Sequence, residues 1–230
     1  MQGSAMLKKN STSEFYIYDY TLLALSEGKQ AQTLRELCQG IKSVSEESIH
    51  YHFWRRLLHP QFQQLEYNND FATWAYHTLN DEPLAERLSI LNPLDFNDIG
   101  ALRTSLVEIV EERIEEKETF RWADKNQLFQ FIRSQTSVFN TRIKAENPES
   151  LIEILSKMSD GSLFYHFIDS RQRNPEKCND FELWLMKFSN KHLDLVYEIR
   201  KIDPYFTSIK KIRNNLLTLF KEYFQGVNFV

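Results

Sequence analysis

The apolar residues of the chain recur mainly at helical spacing. Between Thr33 and Val44, Leu34, Leu37 and Ile41 follow one another at intervals of three or four positions, which places them on one face of a helix. Further segments have the same periodicity, and several begin with a capping residue, an Asn-Asp pair or a proline; they are 46–57, 70–79, 83–90, 96–117 and, after Asp203-Pro204, 209–220. The pattern predicts a mainly α protein.

Two segments do not follow this pattern clearly. The stretches FYIYDYTLLAL (15–25) and FQFIRSQTSVF (129–139) alternate enough to form short strands, although both are also compatible with helices. A small paired β element is therefore the minority prediction for these two segments, beside the helical one.

The chain contains an internal duplication. A shift of 114 positions aligns 15–53 with 129–167 without a gap, and it places SIHYHF (48–53) on SLFYHF (162–167). A shift of 110 then aligns the Asn-Asp-Phe-x-x-Trp segments 69–74 and 179–184. Matches in the same order at two related shifts indicate two copies of one long unit, which is far longer than the repeats of a solenoid.

We therefore predict two pseudo-twofold-related helical repeats that pack as one body. The first residues resemble a protease-site and cloning remnant. The predicted divisions are a tag remnant and flexible N-terminus (1–14), repeat unit 1 (15–114), a helical connector (115–128), repeat unit 2 (129–225) and a C-terminal tail (226–230).

The S-[IL]-x-Y-H-F and N-D-F-x-x-W motifs at 48–53, 69–74 and their counterparts resemble an uncharacterised prokaryotic family, domain of unknown function 5752. The resemblance covers nearly all of 15–225. It implies a duplicated architecture and no established activity. Relatives among glycosyltransferase-type genes imply, for an enzymatic alternative, a link to carbohydrate metabolism.

The composition of the chain limits the kinds of partner that it can bind. The formal net charge is -4, so the chain lacks the strongly basic balance that nucleic-acid binding requires. No apolar run reaches the length of a membrane span, and Cys38 and Cys178 are too few for a disulfide framework. We predict a cytoplasmic protein that binds neither nucleic acid nor membrane.

The repeated histidines have two interpretations. His52 with Asp70, and His166 with Asp180, could form acid–base pairs in which the carboxylate orients the imidazole. Alternatively, each Asn-Asp begins a helix and each histidine satisfies a buried polar group. The structural interpretation is preferred, because folding constrains both copies whereas a catalytic site usually needs one.

Neighbouring side chains complete the candidate ligand-binding set. Tyr51 and Tyr165 precede the histidines, and Arg171 and Arg173 follow the second motif, where they could bind phosphate or carboxylate or simply lie at a solvated helix end. His50 and His52 are two residues apart and would point to different faces of a helix. We therefore predict no metal and no cofactor.

The predicted function is a binding or regulatory module without catalysis of its own. Its partner would be a protein, or a small anionic metabolite held in the cleft between the repeats. The alternative is an enzyme with a His/Asp acid–base site at that cleft, and a third possibility is a self-associating scaffold.

Overall fold

Two strands of 17 residues, β1 (Phe15–Ala31) and β2 (Phe129–Ala145), pair antiparallel in a two-stranded sheet. The computed structural model describes residues 14–58, 67–116, 121–189 and 191–226. Residues 14–116 are called the first half below, and 121–226 the second half.

The helices of each half follow its strand. Those of the first half are α1 (Leu34–Ser43), α2 (Glu46–Leu58), α3 (Asp70–His77), α4 (Glu82–Ser89) and α5 (Ile99–Glu116). Those of the second half are α6 (Leu151–Lys157), α7 (Asp160–Phe164), a π-helix (Tyr165–Asp169), α8 (Ser170–Arg173), α9 (Asp180–Met186), α10 (Leu193–Arg200) and α11 (Ile209–Gln225). Short 3-10 turns lie at Pro93–Asp95 and Pro148–Ser150.

The prediction of a mainly α protein is wrong, since the fold is mixed α/β. Phe15 and Ile17 are buried while Tyr16 between them is exposed, which is the alternation of a half-buried strand. An irregularity between Tyr16 and Tyr18 then moves the buried face to Tyr20. The strands are also much longer than the small β element that was the minority prediction.

The predicted pair of helical repeats is likewise wrong as a description of the fold, because each half opens with a strand, and that strand begins against the helices of the other half. The ring of Phe15 lies 5.3 Å from Phe181 and 5.2 Å from Trp184, both on α9. The ring of Phe129 lies 5.1 Å from Phe71 and 5.7 Å from Trp74, both on α3. We call this arrangement the strand exchange, and it joins both halves in one hydrophobic core.

Two glycines allow the strands to approach the helices closely. A methyl group at Gly40 on α1 would overlap the ring of Phe131, and one at Gly161 on α7 would overlap the backbone oxygen of Tyr20. Any larger side chain would therefore push a strand away from its helix.

Local signals position several helix starts. The Thr33 side chain caps α1 in a capping box with Glu36, and Asn69 caps α3. α11 begins at Ile209, where the predicted segment 209–220 starts, but its cap is Ser208 and not Asp203. Asp203 instead accepts hydrogen bonds from the amides of the two residues after Pro204.

The predicted helical connector differs from the described chain. α5 ends at Glu116, residues 117–120 lie outside the described residues, and 121–128 contain no helix. The Ala123 amide donates to the Gln32 carbonyl at 2.8 Å, and Trp74 donates through Nε1 to the Gln127 carbonyl at 2.8 Å. These bonds fix 121–128 in a non-helical conformation. The predicted tag remnant and flexible N-terminus (1–14) and the predicted tail (226–230) also lie outside the described residues, except for residues 14 and 226.

Within the described part of the chain, none of the helices is both long enough and apolar enough to cross a membrane.

Candidate functional site

The His52 side chain connects a helix of the first half to the strand of the second half. Its Nδ1 lies 2.9 Å from Asp70 Oδ2, and its Nε2 accepts the backbone N–H of Ile132 on β2 at 3.2 Å. Because an amide can only donate, Nε2 must be unprotonated, and the ring proton therefore lies on Nδ1 and points to the carboxylate.

Ser48 completes this contact from one turn earlier on α2. Its hydroxyl donates to the Ile132 carbonyl at 2.9 Å, so Ser48 and His52 together satisfy both backbone groups of Ile132. Both strands of a two-stranded sheet are edge strands, and their outward backbone groups need partners when they are buried. We call Ser48, His52 and Asp70 the first clamp.

The second half has a similar arrangement, the second clamp, formed by His166 and Asp180. His166 Nε2 accepts the backbone N–H of Tyr18 on β1 at 2.9 Å, and its Nδ1 lies 2.9 Å from Asp180 Oδ2. Both histidines are 2% exposed. Each holds the strand contributed by the other half, so the repeated motif stabilises the strand exchange.

Two arginines surround the carboxylate of the first clamp. Arg55 and Arg56 both donate to Asp70 through Nε, and Arg56 also donates to the Tyr67 carbonyl. Burial alone would raise the pKa of Asp70, but the hydrogen bonds and charges of His52 and Arg55 outweigh it and hold the pKa well below its usual range. Burial lowers the pKa of His52 despite its carboxylate partner.

The carboxylate of the second clamp has one arginine and one amide beside it. Arg173 and Asn174 donate to Asp180 at 3.2 Å each. Burial alone would raise the pKa of Asp180, but the hydrogen bonds and charges of His166, Asn174 and Arg173 together outweigh it, so the net shift is downward.

Neither aspartate is the helix cap that the sequence suggested as one possibility. Asn69 accepts the Ala72 amide at 2.9 Å, and Asn179 accepts the Glu182 amide at 2.9 Å. The asparagine of each Asn-Asp pair thus caps the helix, while the aspartate pairs with the histidine.

The clamps leave the two histidines little capacity for proton transfer. In each ring one nitrogen faces a carboxylate and the other accepts a backbone amide. A general base needs a nitrogen within reach of a substrate proton, and both nitrogens are already engaged. The geometry therefore favours the structural interpretation of His52 and His166.

Two more candidates also serve the fold. Tyr51 is buried, and its ring makes a T-shaped contact with that of His52. Arg171 lies over the Phe167 ring and donates to Glu182 at 3.3 Å, a carboxylate that is 1% exposed and also bound by Arg200. These contacts occupy Arg171 inside the second half.

A larger cleft lies between the two halves, with a volume of about 430 Å³; we call it the central cleft. Its wall from α2 presents Glu46, Glu47 and His50. The opposite wall presents Tyr165 and Asp169 from the π-helix, with Gln172 and Arg173 from α8. Tyr20 of β1 and Thr136 of β2 lie between these walls. π-helical turns often occur at functional sites.

Two polar side chains of the central cleft have no hydrogen-bond partner among the described residues. Tyr20 is only 6% exposed, and its hydroxyl has no hydrogen bond to any described residue; the same holds for the ring nitrogens of His50. Burial and the nearby Asp169 charge raise the pKa of Tyr20, and burial lowers the pKa of His50 to about 4. Burial also raises the pKa of Asp169. Polar groups that line a cleft without a partner in the described chain are groups that a ligand can satisfy.

The predicted site residues lie in different clefts of the structure. Tyr165 and Arg173 line the central cleft, whereas His52 with Asp70 and His166 with Asp180 border separate clefts of about 270 and 290 Å³. The sequence interpretation did not select Tyr20, Glu46, Glu47, His50 or Asp169 as candidate site residues. Tyr20 could not have been found by periodicity, because it reaches the cleft through the strand exchange.

No group of three or more histidine, cysteine, aspartate or glutamate side chains in the described chain is arranged to hold a metal ion.

The described residues define a class of mixed α/β protein in which two exchanged strands, each held by a His–Asp clamp, are followed by helices and border a central cleft. The chain belongs to the family of unknown function DUF5752, whose family model matches residues 12–221. This confirms the resemblance seen in the sequence.

A solved structure has the same fold. The structure of OrfY from Thermoproteus tenax matches with a TM-score of 0.76 and 24% sequence identity, and the match covers 94% of this chain and 97% of that one. No curated protein matches the chain.

Proposed function

We propose that this protein is a binding or regulatory module that holds a small molecule in the central cleft. The observation that carries the proposal is that Tyr20 and His50, which have no hydrogen-bond partner among the described residues, lie at a cleft between two halves of one chain. A volume of about 430 Å³ lies within the range of small-molecule sites, and a concave site favours a small molecule over a protein partner.

The strand exchange supports a binding role in a second way. Tyr20 from β1 and Thr136 from β2 line the cleft together with residues of α2 and α8. A ligand held there would contact both halves at once, and a molecule that binds the folded state also stabilises it.

Two adjacent β2 positions allow a direct test. Thr136 pairs with Leu22 and lines the cleft, while Gln135 pairs with Leu23 and lies on the opposite face of the sheet. In a thermal-shift screen of small cationic, anionic and neutral molecules, we expect a compound that raises the melting temperature of the wild type and of Gln135→Trp. The same compound should have no effect on Thr136→Trp, whose indole fills the cleft. Equal responses from both variants would place the binding site elsewhere.

A second candidate function is acid–base catalysis at the same cleft. His50 and Asp169 both line it, and burial shifts the pKa of His50 down and that of Asp169 up. This enzymatic alternative, with its implied link to carbohydrate metabolism, no longer depends on His52 or His166. His50→Gln should then abolish turnover of a bound compound without abolishing its binding.

The cytoplasm remains the proposed compartment. Cys38 and Cys178 are both buried free thiols, and a reducing environment preserves such thiols.

A further inference from the structure

The charges of the central cleft do not suit the anionic ligand expected from the sequence. Glu46, Glu47 and Asp169 contribute three carboxylates to the lining. Among the described lining residues Arg173 is the one cation, and it is already bonded to Asp169, Asp180 and the Tyr165 carbonyl. An anion would meet two glutamates that have no ion-pair partner among the described residues.

Tyr20 points to a ligand independently of these carboxylates. Its side chain is almost entirely buried, it lines the cleft, and its hydroxyl has no hydrogen-bond partner in the described chain. The hydroxyl oxygen can accept a hydrogen bond, and a bound ammonium group would supply the donor.

The remaining lining is suited to methylene groups. Ile99 of α5 and Val138 of β2 give the cleft an apolar surface, and the rings of Tyr20 and Tyr165 lie beside it. Aromatic rings also attract cations over their faces. A ligand that alternates aliphatic segments with ammonium groups would therefore match both the apolar and the acidic parts of the lining.

We propose that the central cleft binds a small aliphatic polyamine, with Glu46 and Glu47 pairing with its ammonium groups and Tyr20 accepting a hydrogen bond from one of them. This inference rests on the proposed function and specifies the class of ligand. The ligand proposed for this cleft is therefore a cation, in place of the anionic metabolite that the sequence predicted.

The test uses spermidine as the probe, with binding to the full chain measured by titration calorimetry. Glu46→Gln combined with Glu47→Gln should weaken spermidine binding roughly five- to twentyfold, since each exposed ion pair contributes modestly. The matched control combines Glu108→Gln with Glu112→Gln on α5. These two exposed glutamates remove the same charge without lining the cleft, so spermidine affinity should stay within about twofold of wild type.

Tyr20→Phe distinguishes a specific hydrogen bond to Tyr20 from general attraction of the cation to the acidic surface. It removes one hydroxyl that has no partner in the described chain, so the variant should fold at least as well as wild type while binding spermidine about two- to tenfold more weakly. Unchanged binding by Tyr20→Phe, or equal losses in the Glu46/Glu47 and Glu108/Glu112 variants, would show that spermidine associates with the acidic surface and would overturn the proposal.

Two further probes distinguish failure of the ligand class from failure of the site. Succinate and heptanediol are a dianion and a neutral chain of comparable reach. If either binds the wild type but not Thr136→Trp while spermidine does not bind, the cleft is a binding site and the polyamine proposal is wrong. If none of the three probes binds, the polyamine proposal is also wrong, and the proposed function then depends on the wider screen.

Discussion

Both clamps bind a backbone amide of a strand, but their surroundings differ. In each, a histidine accepts the amide of the strand contributed by the other half, Ile132 in the first clamp and Tyr18 in the second. The first clamp lies on the regular helix α2, whereas His166 lies on the π-helix Tyr165–Asp169. The Asp70 side chain is 9% exposed and meets two arginines, while that of Asp180 is 18% exposed and meets one arginine and one asparagine.

The difference shows which part of the motif the fold requires. The bond from the strand amide to the imidazole and the bond from the imidazole to the carboxylate occur in both clamps, while the groups around the carboxylate vary. On the second side, the π-helix and α8 also bring Tyr165, Asp169 and Arg173 to the central cleft. On the first side, α2 brings Glu46, Glu47 and His50 to the same cleft, and none of the clamp residues themselves lines it.

The largest expected effect comes from removing the carboxylates. Asp70→Ala leaves His52, Arg55 and Arg56 partly buried without their shared acceptor, and it should lower the free energy of unfolding by about 3–5 kcal/mol. Asp180→Ala removes a more exposed carboxylate and should cost about 1–3 kcal/mol. Urea unfolding measures both. The exposed Asp124 provides the control, since Asp124→Ala should stay within about 0.5 kcal/mol of wild type.

Replacing the histidines tests whether the clamps are equivalent. His52→Ala and His166→Ala each leave a strand amide without its acceptor and open a cavity, so each should cost about 1–3 kcal/mol. His77 is exposed on α3, and His77→Ala should change stability by less than about 0.5 kcal/mol. Thermal melts of the three variants beside wild type measure these changes in stability. If only one clamp histidine proves important, the shared role assigned to the motif is wrong.

Acid should lower the free energy of unfolding through His52 in the first clamp and His50 in the central cleft. The pKa values of His52 and His50 are lowered in the folded state, His50 to about 4, so the unfolded chain takes up protons first as the pH falls below about 6.5. Their contribution is therefore complete above about pH 6.5, and about 1–3 kcal/mol should be lost by about pH 5. The lowered pKa of Asp70 preserves its contribution until the pH falls below about 3.8, and the raised pKa of Asp169 acts in the opposite direction.

The measurement is the free energy of unfolding at several pH values for wild type and for His50→Gln. The variant should lose part of the pH dependence, because one titrating ring is gone. A wild-type stability that is constant between about pH 7 and about pH 5 would contradict the neutral-imidazole assignment of the first clamp.

The smallest effect distinguishes the two serines. Ser48 donates to the Ile132 carbonyl, so Ser48→Ala should cost about 1 kcal/mol and speed hydrogen exchange at the Ile132 amide. Ser162 has no hydrogen bond to β1 within the described chain, and Ser162→Ala should cost less than about 0.5 kcal/mol. Equal costs would mean that the first clamp gains nothing from its serine.

Several features were predictable because they depend on neighbouring residues. The stripe of Leu34, Leu37 and Ile41 and the Thr33 cap predicted α1 within one residue at each end. The repeated histidines and aspartates were also singled out from the motifs, although the contact of each histidine with the strand of the other half was not foreseen.

The two strands could not be predicted firmly from the sequence alone. Phe15–Ala31 has a period close to two in its first residues alone, and its partner β2 lies more than ninety residues further along the chain. A strand needs hydrogen-bond partners that its own sequence does not contain, so propensity could not decide between helix and strand here. The central cleft depends on the same pairing.

The sequence by itself determined the helix positions in 34–58 and 70–116, the duplicated motifs and the family, because each follows from local spacing or from the order of residues. Only the tertiary structure decided that the strands exchange, that His52 and His166 hold them, and that Tyr20 and Glu47 share one cleft. The physical reason is that local hydrogen bonds and apolar periodicity involve residues a few positions apart, whereas strand pairing and clefts join residues that only the folded chain brings together.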